Sequence, residues 1–263
     1  MTSVPLRVEH TDGGVVVLTL DQPQRRNAMT EALTTAWAIA IAQLRTDPTV
    51  RVVVVTGAGS AFCAGGDLSW LGVGSGSTVD ELRARMLPFY RTWLSVRDLE
   101  VPTVAAINGP AVGAGLAIAL ACDLRYATAE AKLSVPFGTL GIHAGMATTW
   151  LLPEVVGLPV AREMLLTGRA VTGAEAVGLG LVNRVFPADT LLADTLTVAR
   201  SIAAQAPVAT RLTTAALRDG GPASLAAALQ WEALAQPVTM ATADLIEGLA
   251  AQRERRPPRF TGR

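Results

Sequence analysis

Two runs of small residues, each set between a β-branched stretch and a helix-forming stretch, constrain this chain more than any other feature. The first reads Ala61-Phe62-Cys63-Ala64-Gly65-Gly66-Asp67-Leu68, and the second Asn108-Gly109-Pro110-Ala111-Val112-Gly113-Ala114-Gly115-Leu116. A strand that ends in such a turn and opens a helix leaves backbone N–H groups without intrahelical partners, at the positive end of the helix dipole. Two such turns side by side can aim two N–H groups at one carbonyl oxygen, the geometry of an oxyanion hole. The small side chains of Ala64 and Ala114 leave the backbone approachable, so their N–H groups are the expected donors. The competing reading is structural: a tight strand-to-helix junction also needs small residues.

The 263 residues suffice for one large core, or for a core with a helical appendage. Half of them are hydrophobic and 17% are charged, a globular composition on the apolar side that suggests buried subunit contacts. The net charge is zero, so no electrostatic footprint for nucleic acid exists. Lys132 is the single lysine against 21 arginines, a bias that reads first as one of genome composition and only second as a use of arginine's fixed charge and fork geometry for phosphate. Two cysteines, Cys63 and Cys122, do not make a disulfide framework, and the first seven residues lack the apolar core of a signal peptide. A reducing cytoplasm is the expected setting. Cys63 adjoins the first turn, but no histidine lies near it in sequence, so a small buried packing residue is expected rather than a nucleophile.

Residues 101–122 carry no charge and are long enough to cross a bilayer. Pro102 and Asn108-Gly109-Pro110 divide the run into a strand, a turn and a helix, and residues 132–153 divide in the same way. No membrane span is expected, and runs this apolar suit elements buried on both sides. Along the chain, residues 7–20 read as a hairpin around Thr11-Asp12-Gly13-Gly14. Residues 30–45 read as a helix capped by Thr30, with Leu33, Trp37, Ile41 and Leu44 on its apolar face. Strands are expected at 50–56, 103–107, 124–127 and 132–135, and helices at 82–97 and 113–121. Residues 72–77 form a Gly/Ser-rich loop expected to be mobile. From Thr148 onward helices dominate, interrupted by a strand-like segment at 182–186. Alternating strands and helices imply parallel pairing with right-handed crossovers.

The two turns resemble the oxyanion-hole segments of the crotonase superfamily, the enoyl-CoA hydratase/isomerase family. Three further stretches extend the resemblance over nearly the whole chain. Arg25-Arg26-Asn27-Ala28-Met29 is similar to the family's early CoA-contacting turn, Ala121-Cys122-Asp123-Leu124-Arg125 to its strand entry after the second helix, and Arg256-Pro257-Pro258-Arg259-Phe260 to its tail. The resemblance implies an α/β crotonase-like fold: a spiral of β-β-α units over residues 1–195 holding an acyl-CoA site, and a C-terminal helical region over 196–263 that oligomerises. It implies a homotrimer or a dimer of trimers. It also implies that Arg26, Ala28, Ala64, Gly65, Gly66, Asp67, Leu68, Gly113 and Ala114 line the acyl-CoA, with coenzyme A arriving as part of the substrate and no separate cofactor. The chain departs from the family at both glutamates expected of a hydratase. Three residues after Ala114 stands Ala117, and after Pro136 stands Phe137. The resemblance therefore implies thioester binding and an oxyanion hole without ordinary hydration.

Other residues admit two readings. His143, in Gly141-Ile142-His143-Ala144-Gly145, could carry a proton near the acyl group or be a hydrogen-bonded structural histidine; His10 is expected at the surface. Asp67 could cap the helix after the first turn or line the site without doing chemistry. Of Arg25 and Arg26, one could meet CoA phosphates while the other is solvated. Glu81 could swing toward the site, but with Asp80 it fits a helix start. Asp123 reads as structural, and Trp70 and Trp150 as core or pocket wall. No metal-ligand spacing and no phosphate-cradling glycine motif is present. Two functions follow. An enzyme would stabilise an enolate in isomerisation, decarboxylation or hydrolysis within acyl-CoA metabolism. A non-catalytic carrier or sensor would hold the acyl-CoA in a pocket made apolar by Ala117 and Phe137.

Overall fold

The computed structural model describes residues 4–67, 76–218, 221 and 223–263. Leu68, Trp70 and residues 72–75 of the Gly/Ser run lie outside the described residues. Strand β1 (Leu6–Thr11) returns as β2 (Val15–Leu20) through Asp12-Gly13-Gly14, in the expected hairpin. Gly13 and Gly14 take φ of 77° and 78°, values that glycine reaches without steric cost. Helix α1 (Glu31–Thr46) starts where expected, with the Thr30 hydroxyl accepting the Leu33 N–H at 3.2 Å. Strand β3 (Val52–Gly57) is buried throughout, as its unbroken β-branched run requires.

Helix α2 spans Val79–Leu94, three residues upstream of the expected start. Thr78 and Glu81 form a capping box: the Glu81 carboxylate accepts the Thr78 N–H at 2.7 Å, and the Thr78 hydroxyl accepts the Glu81 N–H at 3.3 Å. These bonds hold the Glu81 carboxyl below its usual pKa, so Glu81 is the helix-start residue and does not swing toward a site. Helix α2 packs on α1 through Trp37 and Trp93, whose rings stack with centroids 5.1 Å apart. Each indole N–H finds an acceptor across this contact, Trp37 on the Thr92 carbonyl and Trp93 on the Thr34 hydroxyl.

After β4 (Thr103–Ile107) the chain leaves one sheet for another. The short β5 (Ala111–Val112), which the sequence reading missed, pairs with a later strand rather than with β4. Helix α3 (Ala114–Ala121), β6 (Leu124–Ala127), β7 (Lys132–Ser134) and α4 (Thr148–Thr167) follow. Then come β8 (Val171–Thr172), α5 (Gly173–Gly178), β9 (Arg184–Val185) and α6 (Leu191–Ala203). The larger sheet has the order β1-β2-β3-β4-β6-β9 and is parallel except for the opening hairpin; the smaller has the order β5-β7-β8. One face of the larger sheet carries Leu18, Val53, Val55 and Ile107 into the core beneath α1 and α3. The other carries Val17, Val52, Val54 and Val104 against Leu191, Ala199 and Ala203 of α6. Helix α6 therefore runs through the expected boundary at 195/196, and its packing joins it to the sheet rather than to the helices after it.

Those are α7 (Pro207–Leu217), α8 (Leu225–Met240) and α9 (Ala243–Glu254). Helix α8 has no buried residue, and Leu225, Leu234 and Ile246 on α8 and α9 are more than 70% exposed. Arg218 ties the end of α7 to the sheet through Asp123, at 2.9 Å; Asp123 also accepts the Thr103 N–H at 2.7 Å, the structural role expected of it. Trp150 is 57% exposed, which corrects its expected place in the core or pocket wall. It lies in the first turn of α4, on the side away from buried Leu151 and Leu152. Among the described residues, no helix is long and apolar enough to cross a membrane.

Candidate active site

The two small-residue turns meet at backbone level. The first is pinned from below by Asn27, which is fully buried with a left-handed φ of 56°. Its amide donates to the carbonyls of Ala58, Ala61 and Phe62 at 2.9, 2.8 and 3.2 Å, and its side-chain oxygen accepts the Gln22 N–H at 2.9 Å. The Cys63 thiol reaches back to the Asn27 carbonyl at 3.1 Å. Cys63 also bridges to Ala111 of β5, so the first turn continues the smaller sheet. Gly65, at φ 97°, is where the turns touch: a Cβ there would lie 2.7 Å from the Val112 carbonyl oxygen and 3.5 Å from the Ala114 nitrogen. A Cβ on Gly115 would collide with the Cys63 carbonyl. Glycine is required at both places.

The second turn is held by the Val112 N–H on the Cys63 carbonyl at 3.0 Å and the Gly113 N–H on the Ser134 carbonyl at 2.8 Å. Gly113, at φ 55°, caps α3 without a side chain. The Ala114 N–H, first in the helix, has no partner among the described residues. The first turn departs from expectation. The Ala64 N–H donates to the Arg26 carbonyl at 2.9 Å and so is closed to a ligand. Two residues on, the Gly66 N–H makes no hydrogen bond among the described residues, although Gly66 bridges to Met29. The open donors are thus Gly66 and Ala114, and Ala64 is corrected to a wall residue.

These turns line a cavity of about 390 Å³. Ala64, Gly65, Gly66 and Asp67 come from the first turn, and Val112, Gly113 and Ala114 from the second. Leu82, Met86, Phe89 and Tyr90 of α2 form one wall; Phe137, Leu140, Ile142, His143 and Met146, on the segment between β7 and α4, face them. Phe137 lies against the second turn, its ring 3.7 Å from where a Gly113 Cβ would stand. Ala117 is fully buried behind the wall and does not line the cavity.

Among the described residues, three titratable side chains line it: Asp67, Tyr90 and His143. Asp67 pairs with Arg25 at 2.8 Å, which joins the early Arg25-Arg26 turn to the site's edge. Arg26 is exposed, with a left-handed φ of 51°, and Ala28 is half-buried beside it; neither lines the cavity. His143 is exposed at the cavity's edge, with Nδ1 2.7 Å from the Ala144 carbonyl oxygen. Tyr90 was not anticipated. Its signal was present: Leu82, Met86, Phe89, Tyr90 and Trp93 make one helical stripe, and Tyr90 alone in it bears a hydroxyl. Cys63 is buried beneath the turn, and desolvation pushes its thiol up to about 12, so it carries no thiolate at neutral pH. Among the described residues, no three His, Cys, Asp or Glu side chains gather as metal ligands.

Comparison with known proteins agrees with this architecture. The model of the family described as enoyl-CoA hydratase/isomerase matches residues 10–263. A putative enoyl-CoA hydratase of Thermus thermophilus is 38% identical over 253 residues, covering 96% of this chain and all of that protein. A probable enoyl-CoA hydratase of Mycobacterium tuberculosis is 45% identical over 174 residues, 66% of this chain and 67% of the relative. The crystal structure of an enoyl-CoA hydratase from Bacillus anthracis superposes with a TM-score of 0.93 at 34% identity, covering 98% of this chain and all of that one.

Proposed function

Because the chain belongs to the enoyl-CoA hydratase/isomerase family, we propose that it binds a CoA thioester with the thioester oxygen between the N–H groups of Gly66 and Ala114. The observation that carries this is the pair of N–H groups, unpaired among the described residues, on the lining of one cavity at two interlocked turns. Two donors on a thioester carbonyl acidify the α-carbon and stabilise the enolate that forms when its proton leaves. Acyl-CoA metabolism is the setting this chemistry serves. The exposed apolar residues of α8 and α9 support a homotrimer or a dimer of trimers, in which a second copy covers them.

Ordinary hydration is not part of the proposal. It needs a group that activates water and one that protonates the α-carbon, and each such group contributes about 10²–10⁴-fold. Asp67 is the one carboxylate lining the described cavity, and it is paired with Arg25. Crotonyl-CoA is therefore expected to be hydrated far below an ordinary rate of about 10 s⁻¹, and turnover at that rate would refute this part. The same apolar lining favours a second reading, a carrier or sensor that holds acyl-CoA without turning it over. A carrier's affinity rises steadily with chain length, by at most about 0.8 kcal/mol per methylene, and no thioester yields product. An enzyme forms product from at least one.

A further inference from the structure

We propose that the Tyr90 hydroxyl donates a hydrogen bond to an oxygen borne on the acyl chain, so that the cavity selects oxygen-bearing acyl thioesters over plain hydrocarbon ones. This rests on the thioester reading above and names the acyl class that the same cavity takes.

Tyr90 projects from α2, the helix anchored to α1 by the Trp37–Trp93 stack, and its ring lies beside Phe89 with centroids 6.3 Å apart. Across the cavity its hydroxyl rests on the backbone of Gly145, where a Cβ would stand 2.6 Å from Oη. The absence of a side chain at Gly145 thus makes room for the phenol. The hydroxyl makes no hydrogen bond among the described residues, and Met86, Phe89, Leu140, Ile142 and Met146 line the same cavity. The two other titratable groups already have partners, Asp67 in Arg25 and His143 in the Ala144 carbonyl. Desolvation raises the Tyr90 pKa above that of an ordinary phenol, so the group stays neutral and serves as a donor rather than a base.

A bound acyl chain displaces water from this cavity. A hydrocarbon chain then leaves the phenol hydroxyl desolvated and unpaired, which is unfavourable. A chain with a hydroxyl or keto oxygen supplies an acceptor and removes the penalty.

The test is calorimetric titration of the parent and of Tyr90→Phe with butyryl-CoA and 3-hydroxybutyryl-CoA. Tyr90→Phe keeps the ring and removes a hydroxyl with no hydrogen-bond partner among the described residues, so circular dichroism should report an unchanged fold. The parent is expected to bind the hydroxy thioester about three- to tenfold more tightly, the range of one net hydrogen bond, and Tyr90→Phe to bring the two affinities together. Equal affinities in the parent, or a preference that survives in Tyr90→Phe, would overturn the role of Tyr90 and leave the thioester reading standing. Failure of both thioesters to bind the parent would overturn both.

Discussion

The two turns have nearly the same composition and are held in opposite ways. The first is a loop tied down by a side chain: Asn27 beneath it holds two of its carbonyls and that of Ala58 just before it, and the Ala64 N–H is closed by Arg26. The second is a helix start whose Val112 and Gly113 N–H groups are held by backbone carbonyls, and its first helical N–H is open because α-helix geometry leaves it so. Asn108 links them from the second side, accepting the Gly57 N–H at 3.1 Å and donating to the Gly59 carbonyl at 2.9 Å. A donor site made of a helix end is thus recognisable from its opening residues. One made of a loop depends on hydrogen bonds from distant residues.

The sharpest way to break this comparison is to remove the tie. Asn27→Ala leaves the buried Ala61 and Phe62 carbonyls short of their donor and puts alanine in a left-handed conformation that asparagine tolerates better. A loss of about 3–5 kcal/mol in urea unfolding is expected. Asn27→Gly removes the conformational part and should recover about 1 kcal/mol of it. Asn108→Ala, whose bonds are only partly buried, should cost less than either. Equal losses at Asn27 and Asn108 would mean that the two turns are held alike.

The same contrast explains what the sequence made legible. Hairpin, core strands, the α1 cap and both turns are local: each follows from turn chemistry, β-branched runs or a capping threonine within a few residues. The choice of Gly66 over Ala64 is not local, because it rests on the Arg26 carbonyl, 38 positions upstream of Ala64. The early start of α2 was local but was overlooked: Thr78 followed three residues later by Glu81 is a capping-box signature. Strand β5 is too short, at two residues, to carry a period. Tyr90 entered the site only through its approach to Gly145, a contact 55 positions away in sequence.

A smaller effect tests the open helix end. Ala114→Pro deletes the donor outright, at the first helical position, where proline's fixed φ is accommodated. Binding of butyryl-CoA should weaken by about one hydrogen bond, roughly 1 kcal/mol. The carbonyl stretch of the bound thioester, lowered by two donors in the parent, should return part of the way toward its free value. Gly66→Ala keeps the N–H and should retain the lowered stretch. If Ala114→Pro leaves the stretch unchanged, the thioester oxygen does not lie at the second turn.

The smallest expected effect, none at neutral pH, concerns the two thiols, one in each half of the comparison. Cys63 lies in the first turn and Cys122 ends the helix that the second turn opens. Both are fully buried, and desolvation pushes each up to about 12 from a usual value near 9. The sign follows from the proton balance. Below pH 9 the folded and unfolded chains both hold these protons, and stability is unaffected. Between pH 9 and 12 the unfolded chain releases them while the folded chain keeps them, so stability falls as pH rises through this window. Cys63→Ala and Cys122→Ala should each flatten the decline in Tm across it. Native protein at pH 8 should resist a thiol-specific reagent at both positions until it unfolds. Rapid labelling of Cys63 alone would show that the first turn opens to solvent while the second stays closed, and that Asn27 holds it less firmly than its hydrogen bonds indicate.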